Sequence, residues 1–308
     1  MHRSLEGAMG GVKSLLFGPT WEDVGVLNQT YGGPPSQFIT LPNGETIHLR
    51  DEGKKGGFPL VLVHGHSEDL HTWNGLVERL VEDHRVIRYD LRRHGLTGPA
   101  SDDGYSIERY VADLAMVVDH LGLERFVLLG HSMGGRISVR YTMEHQDRVS
   151  RLILLSASGP PRKQDTKQPL ALRLMKNPLG RFMIKRIWSR NMAKKSLEDM
   201  VFDPSIVTDE DIDRMWAFSR YPGSMEAMFR EFADSWPDFT SDEIQRISTH
   251  ALLIWGEEDS ICPVELAEFY HAHLQHADMI VVPKVGHCPQ MECPERCVAE
   301  MLRWMGTA

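Results

Sequence analysis

Cysteine is scarce. Four occur in 308 residues, Cys262, Cys288, Cys293 and Cys297, all in the last fifth of the chain. A disulfide-stapled secreted scaffold would carry more of them along a shorter sequence. The last three also lack the paired C-x-x-C spacing of structural zinc sites, so free thiols are expected and neither a metal nor an organic cofactor is implied. Positive charge is in deficit too: 34 Lys and Arg face 43 Asp and Glu, a net charge of −9. Phosphate binding needs a clustered positive surface, which argues against nucleic acid as a partner. No run of 18 apolar residues occurs, so no membrane-spanning helix is expected. The apolar stretch at 12–17 is short, broken and without a small-residue cleavage site. No signal peptide is read there, and a cytoplasmic location is expected.

What is present suits one large α/β domain with an insertion. Hydrophobic residues make up 42% of the chain, enough for a core that needs no staple. Residues 1–36 show weak periodicity, end in the breaker run Gly32-Gly33-Pro34-Pro35, and read as an N-terminal arm. Strand-like segments at 38–41 and 46–50 flank Pro42-Asn43-Gly44-Glu45, and an Asn-Gly at such a place signals a hairpin. Uniformly apolar runs follow at 60–63, 86–89, 126–129, 152–155, 252–255 and 279–282. Runs of that kind suit strands covered on both faces, as in a parallel sheet. Helical patterns lie between them at 106–121, 133–145, 264–274 and 295–305. The alternation predicts a doubly wound, mostly parallel sheet of about eight strands. It is interrupted once, by the helical block 160–240, which reads as an inserted lid. The core then comprises 37–159 and 241–308.

The chemistry concentrates at Gly130-His131-Ser132-Met133-Gly134-Gly135, which follows a strand and opens a helix. A serine hydroxyl is a weak nucleophile and needs sharp presentation in a strained turn. Glycines at 130 and 134 flank that turn, where a side chain would meet the neighbouring strand and helix. The helix N-terminus then aims N–H groups at a developing oxyanion.

With this motif in this context the chain resembles the α/β-hydrolase superfamily over about residues 37–305, most of all its lid-bearing esterases, lactonases and C–C bond hydrolases. The resemblance implies a His-Gly pair after the third strand, matched by His64-Gly65-His66-Ser67, with His66 and Met133 supplying the two oxyanion-hole N–H donors. It also implies a strand ending in Asp before a His-Gly turn. Tyr89-Asp90-Leu91-Arg92-Arg93-His94-Gly95 matches, except that Arg93 stands where a small glycine is usual, which calls the local turn into question. A serine at the nucleophile position separates the chain from the dehalogenases and epoxide hydrolases of this fold, which carry aspartate there.

A serine nucleophile needs a histidine base, and the base needs a carboxylate to fix its tautomer. The superfamily order is Ser, acid, His. The resemblance points to His287, in the turn Lys284-Val285-Gly286-His287 before Pro294-Glu295, and to Asp259, at the end of Trp255-Gly256-Glu257-Glu258-Asp259 with Pro263 following. His250, His271, His273 and His276 lie on or beside helices and are expected to face solvent. Glu257 and Glu258 are expected to be a solvated acidic turn. Ser156, Ala157 and Ser158 close the alternative acid position used by some relatives.

Seven methionines (175, 183, 192, 200, 215, 225, 228) and three tryptophans (188, 216, 236) fall within 160–240. Such side chains suit either plain packing or an adaptable apolar pocket. Between 162 and 195 stand eleven Lys or Arg against one acid, Asp165. A solvated helix face is the preferred reading, with an anionic substrate or transient membrane contact as the alternatives. The leading functional expectation is a serine hydrolase acting on small carboxylic esters with an apolar part. A lactonase, a C–C bond hydrolase or a non-catalytic ligand-binding receptor are the competing readings. The oligomeric state is left open by the sequence, a homodimer being compatible with it.

Overall fold

The computed structural model describes residues 21–162, 177–234 and 236–306. Eight strands form one sheet: β1 (Ser36–Thr40), β2 (Thr46–Gly53), β3 (Pro59–Val63), β4 (Arg85–Tyr89), β5 (Phe126–His131), β6 (Val149–Leu155), β7 (Ala251–Gly256) and β8 (Ala277–Val282). Their spatial order is β1-β2-β4-β3-β5-β6-β7-β8. Only the first two pairings, β1 with β2 and β2 with β4, are antiparallel. The other five are parallel. Gly44 closes the β1–β2 hairpin with φ of 88°, where its missing Cβ costs nothing.

The apolar strands are buried on both faces because successive side chains alternate between two cores. Val61, Val63, Leu128, Leu152 and Leu154 point into one core, and Leu60, Leu62, Leu129, Ile153 and Leu155 into the other. Helices cover each face. In chain order they are α1 (Val24–Tyr31), α2 (Asn74–Leu80), α3 (Ile107–His120) and α4 (Ser132–Glu144). Next come α5 (Pro178–Ile187), α6 (Arg190–Glu198), α7 (Asp209–Ser219), α8 (Ser224–Glu231) and α9 (Ser241–Gln245), then α10 (Val264–His273), α11 (Pro289–Glu292) and α12 (Pro294–Met305). The four helices expected from periodicity appear within a residue or two. Four short ones outside the 160–240 block were not expected. Helices α2, α9 and α11 have seven, five and four residues, too few to repeat their pattern, and α1 lies in the described part of the arm.

Between β6 and β7 the described residues hold helices and no strand. Local signals set where these helices start. Asn177 caps α5 by accepting from the Gly180 N–H, with Pro178 in the first turn, and Thr208 and Asp211 form a capping box at α7. Leu27 of α1 is buried with Leu96, in the turn after β4, and Phe218 of α7. No helix among the described residues is long and apolar enough to cross a membrane.

Candidate active site

Strand β5 ends at His131 and helix α4 begins at Ser132, with no loop between them. That junction forces Ser132 to φ of 51°, a left-handed conformation that costs a non-glycine residue energy. The turn is tight enough to demand its glycines. A Cβ on Gly134 would lie 2.1 Å from the Val63 carbonyl oxygen, and one on Gly130 would lie 2.5 Å from the Gly134 oxygen. Helix α4 therefore presses directly against β3 and holds the serine at the carboxyl ends of the strands. The Ser158 N–H donates to the Ser132 carbonyl at 3.0 Å. The segment that lacks an acid thus still supports the nucleophile.

The three residues expected to form a triad are brought together from three separate turns. Ser132 Oγ lies 2.9 Å from His287 Nε2, and His287 Nδ1 lies 2.9 Å from Asp259 Oδ2. With Nδ1–H donating to the carboxylate, Nε2 is the free acceptor for the serine proton. Asp259 is itself fixed, its Oδ1 accepting from the N–H groups of Ile261 at 2.9 Å and Cys262 at 2.8 Å. Glu257 and Glu258 project into solvent instead, and Glu258 accepts from the Lys284 N–H at 3.1 Å. Burial lowers the His287 pKa below its usual value, against the opposing pull of Asp259.

The loop after β3 holds an unspent donor beside the Ser132 turn. Gly65 N–H donates to Glu68 Oε2 and Ser67 N–H to His94 Nε2. Between them the His66 N–H has no acceptor among the described residues. Met133 is the second residue of α4, where the N–H has no partner within its own helix. His64 anchors the loop from below, its Nε2 accepting from the Leu91 N–H at 3.0 Å.

Behind the triad lies a second carboxylate–histidine pair that the sequence reading passed over. His131 Nδ1 faces Glu68 Oε2 at 2.8 Å and its Nε2 faces the His287 carbonyl oxygen at 2.7 Å. Both ring nitrogens face acceptors, and only the imidazolium can donate to both. Burial alone would lower the His131 pKa, but the adjoining Glu68 carboxylate raises it on balance. Burial opposes ionisation of Glu68 as well, yet His131 and the Gly65 N–H bring it down to about 2. Glu68 Oε1 accepts in turn from Thr72 Oγ at 2.9 Å and Gln290 Nε2 at 3.0 Å. One carboxylate therefore ties the β3 loop, the nucleophile turn and the histidine turn together. The available signal was its place three residues after Gly65, within reach of a backbone N–H. Glu292 is a further anchor, accepting from the N–H groups of Gly286, Cys288 and Phe202. The Met200 carbonyl of the insertion accepts from the His287 N–H at 2.7 Å.

Glu68, His131 and Cys288 place three potential metal-ligand atoms within 4.8 Å of one another. Both nitrogens of His131 and both oxygens of Glu68 already have protein partners, and burial pushes the Cys288 thiol well up. The trio is a hydrogen-bond network, not a vacant ligand set.

A cavity of about 340 Å³ is bounded by the loop after β3 at His66, Ser67, Glu68 and Asp69. Its walls are mainly insertion side chains such as Trp188, Met192, Met215, Met225 and Met228, and its polar end is His66, Arg93 and His94. The methionines of the insertion thus divide between packing and cavity wall. Arg93 keeps the expected turn despite replacing a glycine. It adopts φ of 75° and donates its N–H to the Gly98 oxygen at 2.6 Å. Its guanidinium is buried against Glu231 of α8 at 2.7 Å. The described part of the basic stretch is largely ion-paired within the insertion: Lys185 with Glu226, Arg190 with Asp209 and Asp213, Lys194 with Glu198. Residues 163–176 of that stretch lie outside the described residues.

Similarity to known proteins follows the geometry. The family profile of the alpha/beta hydrolase fold matches residues 59–294. The 2-hydroxy-6-oxo-2,4-heptadienoate hydrolase of Pseudomonas putida is 27% identical over 267 residues, covering 82% of this chain and 90% of that protein. A thermophilic esterase from Thermogutta terrifontis is 28% identical with a TM-score of 0.70, covering 88% of this chain and 97% of its own. The meta-cleavage product hydrolase of Pseudomonas fluorescens IP01 superposes with a TM-score of 0.75 at 22% identity, covering 88% and 97%, and shares the fold. With the strand order, the serine turn after β5 and this profile match in agreement, the chain belongs to the α/β-hydrolase fold family.

Proposed function

We propose that the protein is a serine hydrolase of small carboxylic esters. The observation that carries this reading is the unbroken chain Ser132 Oγ–His287 Nε2–Asp259 Oδ2, with both links at 2.9 Å, at a strained turn beside a cavity. Ser132 Oγ attacks the ester carbonyl carbon while His287 Nε2 takes the hydroxyl proton. Asp259 holds Nδ1–H and stabilises the imidazolium. The N–H groups of His66 and Met133 receive the oxyanion. The tetrahedral intermediate collapses as the C–O bond breaks, and His287 returns its proton to the departing alkoxide. Water then gives a proton to His287, attacks the acyl-enzyme and releases the acid and Ser132. In this reading α5 to α8 act as a lid whose inner face contacts the apolar part of the substrate, and the N-terminal arm braces that lid.

Cleavage of a C–C bond next to a ketone uses the same triad and is the competing reading. The Pseudomonas putida relative is named for a dienoate, a substrate bearing a carboxylate. In this chain the one cationic side chain among the described cavity-lining residues, Arg93, is already paired with Glu231. That favours the ester.

The test is turnover of p-nitrophenyl acetate and butyrate with a fluorophosphonate probe alongside. Labelling is expected at Ser132, and Ser132→Ala should lower kcat by several orders of magnitude with the fold intact. Labelling of another serine, or turnover equal to that of Ser132→Ala, refutes the assignment and favours a ligand-binding receptor.

A further inference from the structure

The cavity has one polar end, and its charges are arranged unusually. Besides His66 and His94, two carboxylates and one guanidinium line it among the described residues: Glu68, Asp69 and Arg93. Each is already matched. Glu68 faces His131 at 2.8 Å and Asp69 faces Arg214 at 3.2 Å. Arg93 Nη2 lies 2.7 Å from Glu231 Oε2 and 2.7 Å from His94 Nε2. Glu231 Oε1 also accepts from the Tyr110 hydroxyl. His94 Nδ1 donates to the Arg92 carbonyl oxygen, which leaves Nε2 as an acceptor and the ring neutral. His66 Nε2 stands 3.0 Å from the same Glu231 oxygen.

Arg93 and Glu231 are both buried, with side chains 5% exposed. The arginine, in the turn after β4, lines the cavity, and the glutamate, the last residue of α8, backs it from behind that wall. Arg93 Nε has no hydrogen-bond partner. The residue holds a left-handed backbone that a glycine would adopt without strain. A cation kept there at the cost of both strain and an unspent donor points to a role at the cavity. Its charge is nevertheless spent on Glu231.

We propose that the Arg93–Glu231 pair is a charge filter: it restricts the cavity to acyl groups that carry no charge, and Glu231 is the residue that sets this specificity. This rests on the esterase reading of Ser132. A carboxylate entering the cavity would find no free cation on the described wall. It would have to draw Arg93 away from Glu231, leaving a buried anion unpaired, or sit unpaired itself beside Glu68 and Asp69. An uncharged acyl chain meets neither cost. It gains the apolar wall. Removing the Glu231 charge weakens the preference, because Arg93 then becomes a buried cation in search of an anion.

The experiment compares dimethyl glutarate with monomethyl glutarate, which differ by one methyl group and one charge, by methanol release at neutral pH. The wild type is expected to favour the diester by about 100-fold in kcat/KM, the scale of rejection by an unpaired buried charge. Glu231→Gln is expected to cut that preference at least about tenfold by a gain on the half-ester. The double variant Arg93→Met/Glu231→Leu opens the same space without freeing a cation and should show no gain on the half-ester; a gain equal to that of Glu231→Gln would overturn the proposal. Wild-type kcat/KM values within about threefold of each other, or an unchanged ratio in folded Glu231→Gln, overturn the proposal. If neither ester is hydrolysed, the esterase reading fails, and calorimetric binding of glutarate and dimethyl glutarate to Ser132→Ala still decides the filter. Equal binding of the two, or failure of Glu231→Gln to bind glutarate more tightly, overturns it.

Discussion

Replacing Glu68 with glutamine removes one charge from behind the triad and leaves the shape. In the native protein the Glu68 pKa lies at about 2 against an ordinary 4.5. Its side chain is 5% exposed, so solvent screening discounts little. The shift corresponds to about 3 kcal/mol of stabilisation. Breaking a buried ion pair from one side costs roughly 3–5 kcal/mol, the same scale. The pH window follows from the two directions. The Glu68 contribution is complete above its unfolded pKa near 4.5 and is lost as pH falls toward about 2. The His131 pKa is raised above 6.5, so its contribution is complete below 6.5 and is lost as pH rises through the raised value. Urea unfolding should therefore show the wild type ahead of Glu68→Gln by roughly 2–4 kcal/mol at about pH 5.5, and by less at about pH 3. A catalytic readout separates positioning from mere stability. The His131 charge depresses the His287 pKa more than the Glu68 charge raises it. With the pair neutralised, the acid limb of kcat/KM should move to higher pH. A variant within about 0.5 kcal/mol of wild type at pH 5.5, with an unmoved acid limb, would refute the reasoning.

Two further outcomes follow from the triad. Asp259→Asn should cost several orders of magnitude in kcat, because an amide in place of the carboxylate favours the wrong His287 tautomer. Glu257→Gln and Glu258→Gln, on exposed side chains, should stay within about tenfold of wild type, and a collapse in either would move the acid role off Asp259. Activity should fall on acidification with a midpoint below 6.5, since burial lowers the His287 pKa and only the neutral ring accepts a proton. A kcat/KM profile flat from pH 5 to 8, or with its midpoint above 6.5, would count against a buried histidine base.

Much of this architecture was legible in order along the chain. Uniform apolar runs marked β3 to β7 because strands buried on both faces admit little polar alternation, and β8, at the sheet edge, is apolar but only half-buried. Asn43-Gly44 marked the hairpin because only certain residues tolerate its turn. The motif around Ser132 was legible because steric demand leaves little choice there: a side chain at 134 would strike β3. Short helices escaped because seven or eight residues do not repeat a period of 3.6 often enough to register.

What the sequence by itself determined is local: which segments become strands, where a serine must turn, and which residue types can form a base and an acid. What the tertiary structure decided is which distant groups meet. Asp259, Glu257 and Glu258 are consecutive carboxylates among which only the motif favours Asp259, and the direction of each side chain leaving β7 decides which one reaches His287. Glu68 and His131 looked like loop and motif filler until the fold set 63 residues of separation at 2.8 Å. Glu231 carried no signal at all, because its partner Arg93 lies 138 positions earlier and only the packing of α8 over the core turn joins them. Periodicity and turn chemistry act between neighbours in the chain, whereas the charge balance of a cavity is set between elements that the chain order keeps apart.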